Sequence, residues 1–231
     1  MKYHGNVMRT MLAILSMFAL QSGTALADSE SDSFKHLSAQ WWQWALSIPV
    51  VDNPLLDTSG EKCMVGQRGE NWFLAGFFGS GAVARTCSVP EGTRVFFPVV
   101  NSINLDVPNV CGQGPGRIPV ADLRAGSAAF INGVSNASAE LDGQPIKHVR
   151  RVQSSVFAAA LPEDNLFDAP CASLGNVAAG VYSPAVDDGL YVQLKPLSAG
   201  RHTLHFHAEN TSQALIIDVT YTLNVVPTLL K

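Results

Sequence analysis

Phe34, Leu37, Trp41, Trp44 and Ile48 recur at alternating spacings of three and four. That spacing lays one apolar stripe along a helix over residues 33–48, with Asp32 or Ser33 as N-cap and Pro49 as terminator. Trp42 falls on the flank of the stripe beside Ser38 and Ala45, a position that predicts partial exposure.

From Asn71 the period changes to two. NWFLAGFFG and TRVFFPVVN read as strands, punctuated by Gly-Ser-Gly and Val-Pro-Glu-Gly. VPNVCGQGPGRIPV reads as a Pro/Gly loop and ADLRAGSAAFING as a short helix. SAELDGQPIKHV carries an Asp-Gly hairpin turn. RVQSSVFAAAL fits either a strand or a helix, and residues 162–189 read as a long loop. The C-terminal third is clearest: LYVQLKPL, RHTLHFHAE and ALIIDVTYTLNVV are strands. In the last, Leu215, Ile217, Val219, Tyr221, Leu223 and Val225 share one face, while Asp218, Thr220, Thr222 and Asn224 share the other. The pattern predicts a mainly β chain, an antiparallel β-sandwich of immunoglobulin-like or jelly-roll type, with one N-terminal amphipathic helix and long disulfide-tied loops.

Composition adds a compartment. Lys2 and Arg9 precede the apolar run Met11–Leu20, and Ala25 and Ala27 supply the small-x-small pattern of a signal-peptidase site. Residues 1–27 therefore read as a signal peptide and 28–231 as a single domain. The run falls short of the roughly 20 residues that span a bilayer, so no membrane span is expected after cleavage. Losing Lys2 and Arg9 takes the net charge from −4 to −6, which argues against nucleic acid as a partner. The four cysteines contain no C-x-x-C and read as two disulfides, Cys63–Cys87 and Cys111–Cys171. The first pair would bracket a hairpin and the second would tie two irregular loops together. A periplasmic or secreted location follows.

HTLHFHAEN (His202–Asn210) carries the candidate chemistry. On a strand, His202, Leu204, Phe206 and Ala208 turn to the core, while Thr203, His205, His207 and Glu209 share the other face. A four-residue turn at Asn210–Gln213 opposes His205 to Asp218; a shift of two positions either way opposes Asp218 to Thr203 or to His207. In each register Asp218 is opposite or diagonal to one of the two histidines. His205 and His207 lie about 6.6 Å apart along the strand. With Asp218 and Glu209 they form a ligand set for a divalent metal, zinc or copper, with open positions for water or substrate. The same His205, His207 and Asp218 are candidate acid/base residues, and a plain polar strand face is the alternative reading of all of them.

Trp42 is a candidate ligand-stacking residue, for example against a sugar ring. Asp187 and Asp188, before Gly189, read as a turn more readily than as half of a glycosidase carboxylate pair. GQGPG lacks the Lys-Ser/Thr of a phosphate loop, and Ser80 lacks the outer glycines of a nucleophile elbow. Arg85, Arg94, Arg117 and Arg124 are scattered, with nothing to choose among them.

Together, WWQWALSIP, NPLLDTSG, C-x-x-G-Q, WFLAG-x-F-G, R-x-C-x-V-P, FFPVVN and GRHTLHF resemble a group of exported bacterial and archaeal proteins with no assigned activity. The resemblance implies an exported single domain and transfers no catalytic residue. Three functions remain open: a ligand-binding β-sandwich acting through the histidine face on a small-molecule or carbohydrate partner, an extracytoplasmic hydrolase or lyase on a polysaccharide, and a structural surface module without a pocket.

Overall fold

The computed structural model describes residues 21–227. Of the segment read as a signal peptide, residues 1–20 lie outside them. Helix α1 spans Gln21–Leu46 and is longer than its apolar stripe predicts. It runs straight through Asp32 and Ser33, so neither caps it; Asp32 instead accepts from Lys35 Nζ at 3.0 Å. Its C-terminus is closed by the buried Asn53, whose Nδ2 donates to the carbonyls of Ala45 and Ile48, each at 2.8 Å.

Ten strands follow, interrupted by two further helices. They are β1 (Asn71–Phe73), β2 (Gly81–Pro90), β3 (Arg94–Leu105), helix α2 (Val120–Asn132), β4 (Val134–Leu141), β5 (Gln144–Pro145), β6 (Arg150–Gln153), β7 (Phe157–Leu161), the single turn α3 (Asp168–Cys171), β8 (Gly180–Leu194), β9 (Gly200–Asn210) and β10 (Leu215–Val226). One sheet has the order β1-β3-β8-β6, with β7 also on β8; the other has the order β2-β10-β9-β4-β5. The sandwich is not wholly antiparallel, because β1 runs parallel to β3 and β2 parallel to β10. Both sheets are mixed, with the parallel pair at one edge.

Three layers result. The inner faces of the two sheets meet through Val95, Phe97, Leu204, Phe206, Val219 and Tyr221. On its other face the first sheet carries α1, where Phe34, Leu37, Trp41, Trp44 and Ile48 are all buried. Each such side chain removed from water contributes roughly 1.5–3 kcal/mol. The three indoles of QWWQW also satisfy their N–H groups on three different elements. Trp41 donates to Leu74 O at 2.9 Å, Trp44 to Val65 O at 2.9 Å, and Trp42 to Asp187 Oδ1 at 2.7 Å. Trp42 is therefore buried, contrary to its position on the flank of the stripe. The stripe spacing misses this because the partner that buries Trp42 lies in β8, 145 positions away.

Other expectations change or are resolved. NWFLAGFFG is a strand only over Asn71–Phe73, and the following β2 belongs to the opposite sheet from β3, so Cys63 and Cys87 bracket no hairpin. Residues 162–189 are a loop only to Ala179; from Gly180 they form the first half of β8, with Asp187 and Asp188 in mid-strand rather than in a turn. RVQSSVFAAAL forms β6 and β7, parted at Ser154 and Ser155. The Asp-Gly hairpin stands as β4–β5, with Asp142 and Gly143 at positive φ (52° and 75°).

The disulfides join Cys63 to Cys87 and Cys111 to Cys171, across 24 and 60 positions. Such a pair belongs in an oxidising compartment, and among the described residues no helix is long and apolar enough to cross a membrane. Replacing Cys111 and Cys171 together by Ala is expected to lower stability by about 2–4 kcal/mol, measured by denaturant unfolding.

Candidate functional site

The histidine strand lies on the outer face of the second sheet. α1 and α2 pack on the first sheet, so neither covers it. The register is the one that opposes Asp218 to His207, because Leu215 pairs with Asn210 and the turn is Thr211–Ala214. The turn at Asn210–Gln213 is displaced by one residue because Asn210 is a buried strand end; its Nδ2 donates to Phe130 O at 2.8 Å. His205 Nε2 meets Asp218 Oδ1 at 3.1 Å, and His207 Nδ1 meets Asp218 Oδ2 at 3.3 Å. His207 Nε2 meets Glu209 Oε1 at 2.9 Å. The four groups form a chain in which each contact uses a different carboxylate oxygen, and the donors do not converge on one point. Among the described residues no group of three or more His, Cys, Asp or Glu side chains is arranged to hold a metal ion. Glu140 of β4 lies opposite His205, a neighbour that the strand's own sequence could not reveal.

His202 does not join the core. Its Nδ1 meets Asp142 Oδ2 at 2.7 Å in the β4–β5 turn, and its Nε2 meets Ser198 O at 3.0 Å. The Asp142 carboxylate raises the His202 pKa and is itself lowered by that hydrogen bond.

The second assembly of polar groups is buried, on the α1 side of β8. Asp187 Oδ1 accepts from Trp42 Nε1 at 2.7 Å, and Asp187 Oδ2 accepts from Tyr191 OH at 2.8 Å. Asn101 Nδ2 donates to Tyr191 OH at 3.0 Å. Gly189 makes room for this cluster: a Cβ there would stand 2.6 Å from Tyr191 Cε2 and 2.7 Å from Asn101 Cβ. Burial pushes the Asp187 carboxyl well above the usual carboxylate range, outweighing the hydrogen bonds from Trp42 and Tyr191; burial likewise holds the Tyr191 hydroxyl protonated. Asp188 points the other way. It is buried under a two-pronged contact from Arg151, Nε to Oδ1 at 3.0 Å and Nη2 to Oδ2 at 2.9 Å. The two aspartates therefore occupy opposite faces of β8 and cannot share a substrate as a glycosidase pair does.

The Trp42–Asn101 side of this network borders a cleft of about 290 Å³. β1 pairs with β3 only over Arg94–Phe96, and beyond that point the edge of β3 from Pro98 to Ile103 forms one wall. Phe77, Phe78, Phe130, Phe167 and the start of β10 supply the others. No charged residue lines it, and Asn101 and Ser102 are its polar side chains. Trp42, read from the sequence as a stacking candidate, lines this cleft; the cleft itself is not legible there, because its other walls come from separate, distant segments of the chain.

In comparisons with models of protein families, with curated proteins and with solved structures, the chain matched none.

Two titration tests follow. A raised His202 adds stability that is full below about pH 6.5 and lost as pH rises through its folded pKa. A lowered Asp142 adds stability present above about pH 3.8 and lost as pH falls through its folded pKa. The pair thus stabilises most between those limits, and His202→Ala should lower the melting temperature there and remove the decline that the wild type shows as pH rises above about 6.5. Asp187 has the raised-carboxyl sign: its contribution is full below about pH 3.8 and falls as pH rises. Asp187→Asn should therefore match or exceed the wild-type melting temperature at pH 7, with the margin shrinking toward pH 4. Asp187→Ala, which strands the Trp42 N–H and the Tyr191 hydroxyl, should cost about 2–5 kcal/mol.

Proposed function

We propose that the protein is an exported, periplasmic or secreted binding protein that takes a small, mainly apolar ligand into the cleft beside Trp42. The observation that carries this reading is the cleft itself: aromatic walls, a few polar groups at one side, and titratable groups with displaced pKa values directly behind it. That combination is the usual form of a small-molecule site. The histidine face offers the opposite geometry, a flat sheet whose imidazoles and carboxylates already satisfy one another. It supports a surface role more than a chemical one, and Asp187 and Asp188, on opposite faces of β8, do not support polysaccharide hydrolysis.

The size of the cleft suits a ligand of about ten non-hydrogen atoms. With 3-phenylpropanol as the probe, fluorescence titration and thermal shift are expected to give a dissociation constant at or below roughly 1 mM, about 4 kcal/mol. Gly76 borders the cleft, and a Cβ there would meet no atom within 4 Å. Gly76→Leu should therefore fill the cleft without strain and weaken the probe at least tenfold, whereas His205→Ala/His207→Ala should leave it unchanged. Loss of binding in the histidine variant, or none in Gly76→Leu, would move the site away from the cleft.

A further inference from the structure

Arg85 is buried in β2, pointing between the sheets, and it makes no ion pair among the described residues. Its guanidinium is held by neutral oxygens. Nε donates to Asp57 O at 2.6 Å, while Nη1 donates to Ala75 O at 3.0 Å, Gly76 O at 2.7 Å and Tyr221 OH at 2.9 Å. The Tyr221 ring lies 5.5 Å from its central carbon. Nη2 is also buried but has no hydrogen-bond partner. The Asp57 side chain, whose own backbone carbonyl takes the Nε bond, is engaged by the backbone N–H groups of Ser59, Gly60 and Lys62.

A buried cation without a counter-charge is costly, and tying down two loops explains Nε and Nη1 but not Nη2. Position supplies the rest. Gly76, whose carbonyl takes the shortest Nη1 bond, is part of the cleft wall, so the charge sits one peptide unit behind a surface lined only by neutral groups. In an apolar setting a charge at that distance dominates the potential of the cleft. The carboxyl on the opposite side, Asp187 behind Trp42, is pushed by burial toward its neutral form and already accepts from Trp42 and Tyr191.

We propose that Arg85 makes the cleft selective for an anionic head group, so that its ligand is a small apolar carboxylate oriented with the carboxylate toward Gly76. This rests on the cleft being the binding site. The ligand's apolar body would occupy the aromatic walls and its charge would face, across the Gly76 peptide, a guanidinium that makes no ion pair among the described residues.

The test compares two probes of equal shape, 3-phenylpropionate and 3-phenylpropanol, by titration calorimetry at pH 7. The carboxylate should bind wild-type protein at least tenfold more tightly than the alcohol. Arg85→Met should abolish that preference, leaving the two probes within threefold of each other. Arg85→Lys keeps the charge but not the planar fork, and should weaken the carboxylate more than the alcohol; it decides the matter if Arg85→Met does not fold. Equal binding of both probes to wild type, or equal losses in Arg85→Lys, overturns the role of Arg85 while leaving the cleft as the site. Failure of both probes to bind overturns the cleft reading and this inference with it.

Discussion

The hydrogen bond from the Trp42 indole to the Asp187 carboxyl, 2.7 Å long and sealed from water, is the constraint from which the rest of the architecture can be read. Burying an indole N–H and a carboxyl this deeply is costly unless each finds a hydrogen-bond partner, and here each is a partner of the other. Their meeting fixes the rotation of α1 on the first sheet, because Trp41 and Trp44 must then reach Leu74 and Val65 on either side. It also fixes the identity of residue 189, where any side chain would strike the Tyr191 ring. The helix is thus positioned by polar matching at three points, with apolar burial supplying the free energy.

The segment Leu74–Gly76 carries the same logic across the molecule. Its three carbonyls accept from α1 on one side and from β2 and β10 on the other, through Trp41, Arg85 and Tyr221. A strand that stops after Phe73 frees these carbonyls from sheet pairing and lets them bridge the layers. The cleft exists because β1 is so short.

Periodicity made the C-terminal part of this fold readable. The alternation of β10 and the histidine strand is a local property, and so is the placing of His205, His207 and Glu209 on one face. The choice among registers was not local: it turned on Asn210 being buried under Phe130, which is supplied by α2. Asp187 and Asp188 were unreadable for a stronger reason. Two adjacent acids before a glycine carry every local mark of a turn, and only partners 145 and 37 positions away, Trp42 and Arg151, make a strand interior tolerable for them. Arg85 had no distinguishing mark among its fellow arginines, since what sets it apart is a buried guanidinium held by neutral oxygens from distant segments.

The parallel pairing of β2 with β10 has a temporal side. Ser80 and Ile216, where that edge begins, are 136 positions apart, and each residue of β2 has its partner at the far end of the chain. Closing so large a loop has a high entropic cost and no nearby contact offsets it early, which places this edge among the last parts to assemble. Until β10 arrives, β2 has no sheet to join. A chain threaded through a membrane from its N-terminus would therefore remain unable to complete its second sheet while in transit, and would finish folding on the side where its cysteines can be oxidised.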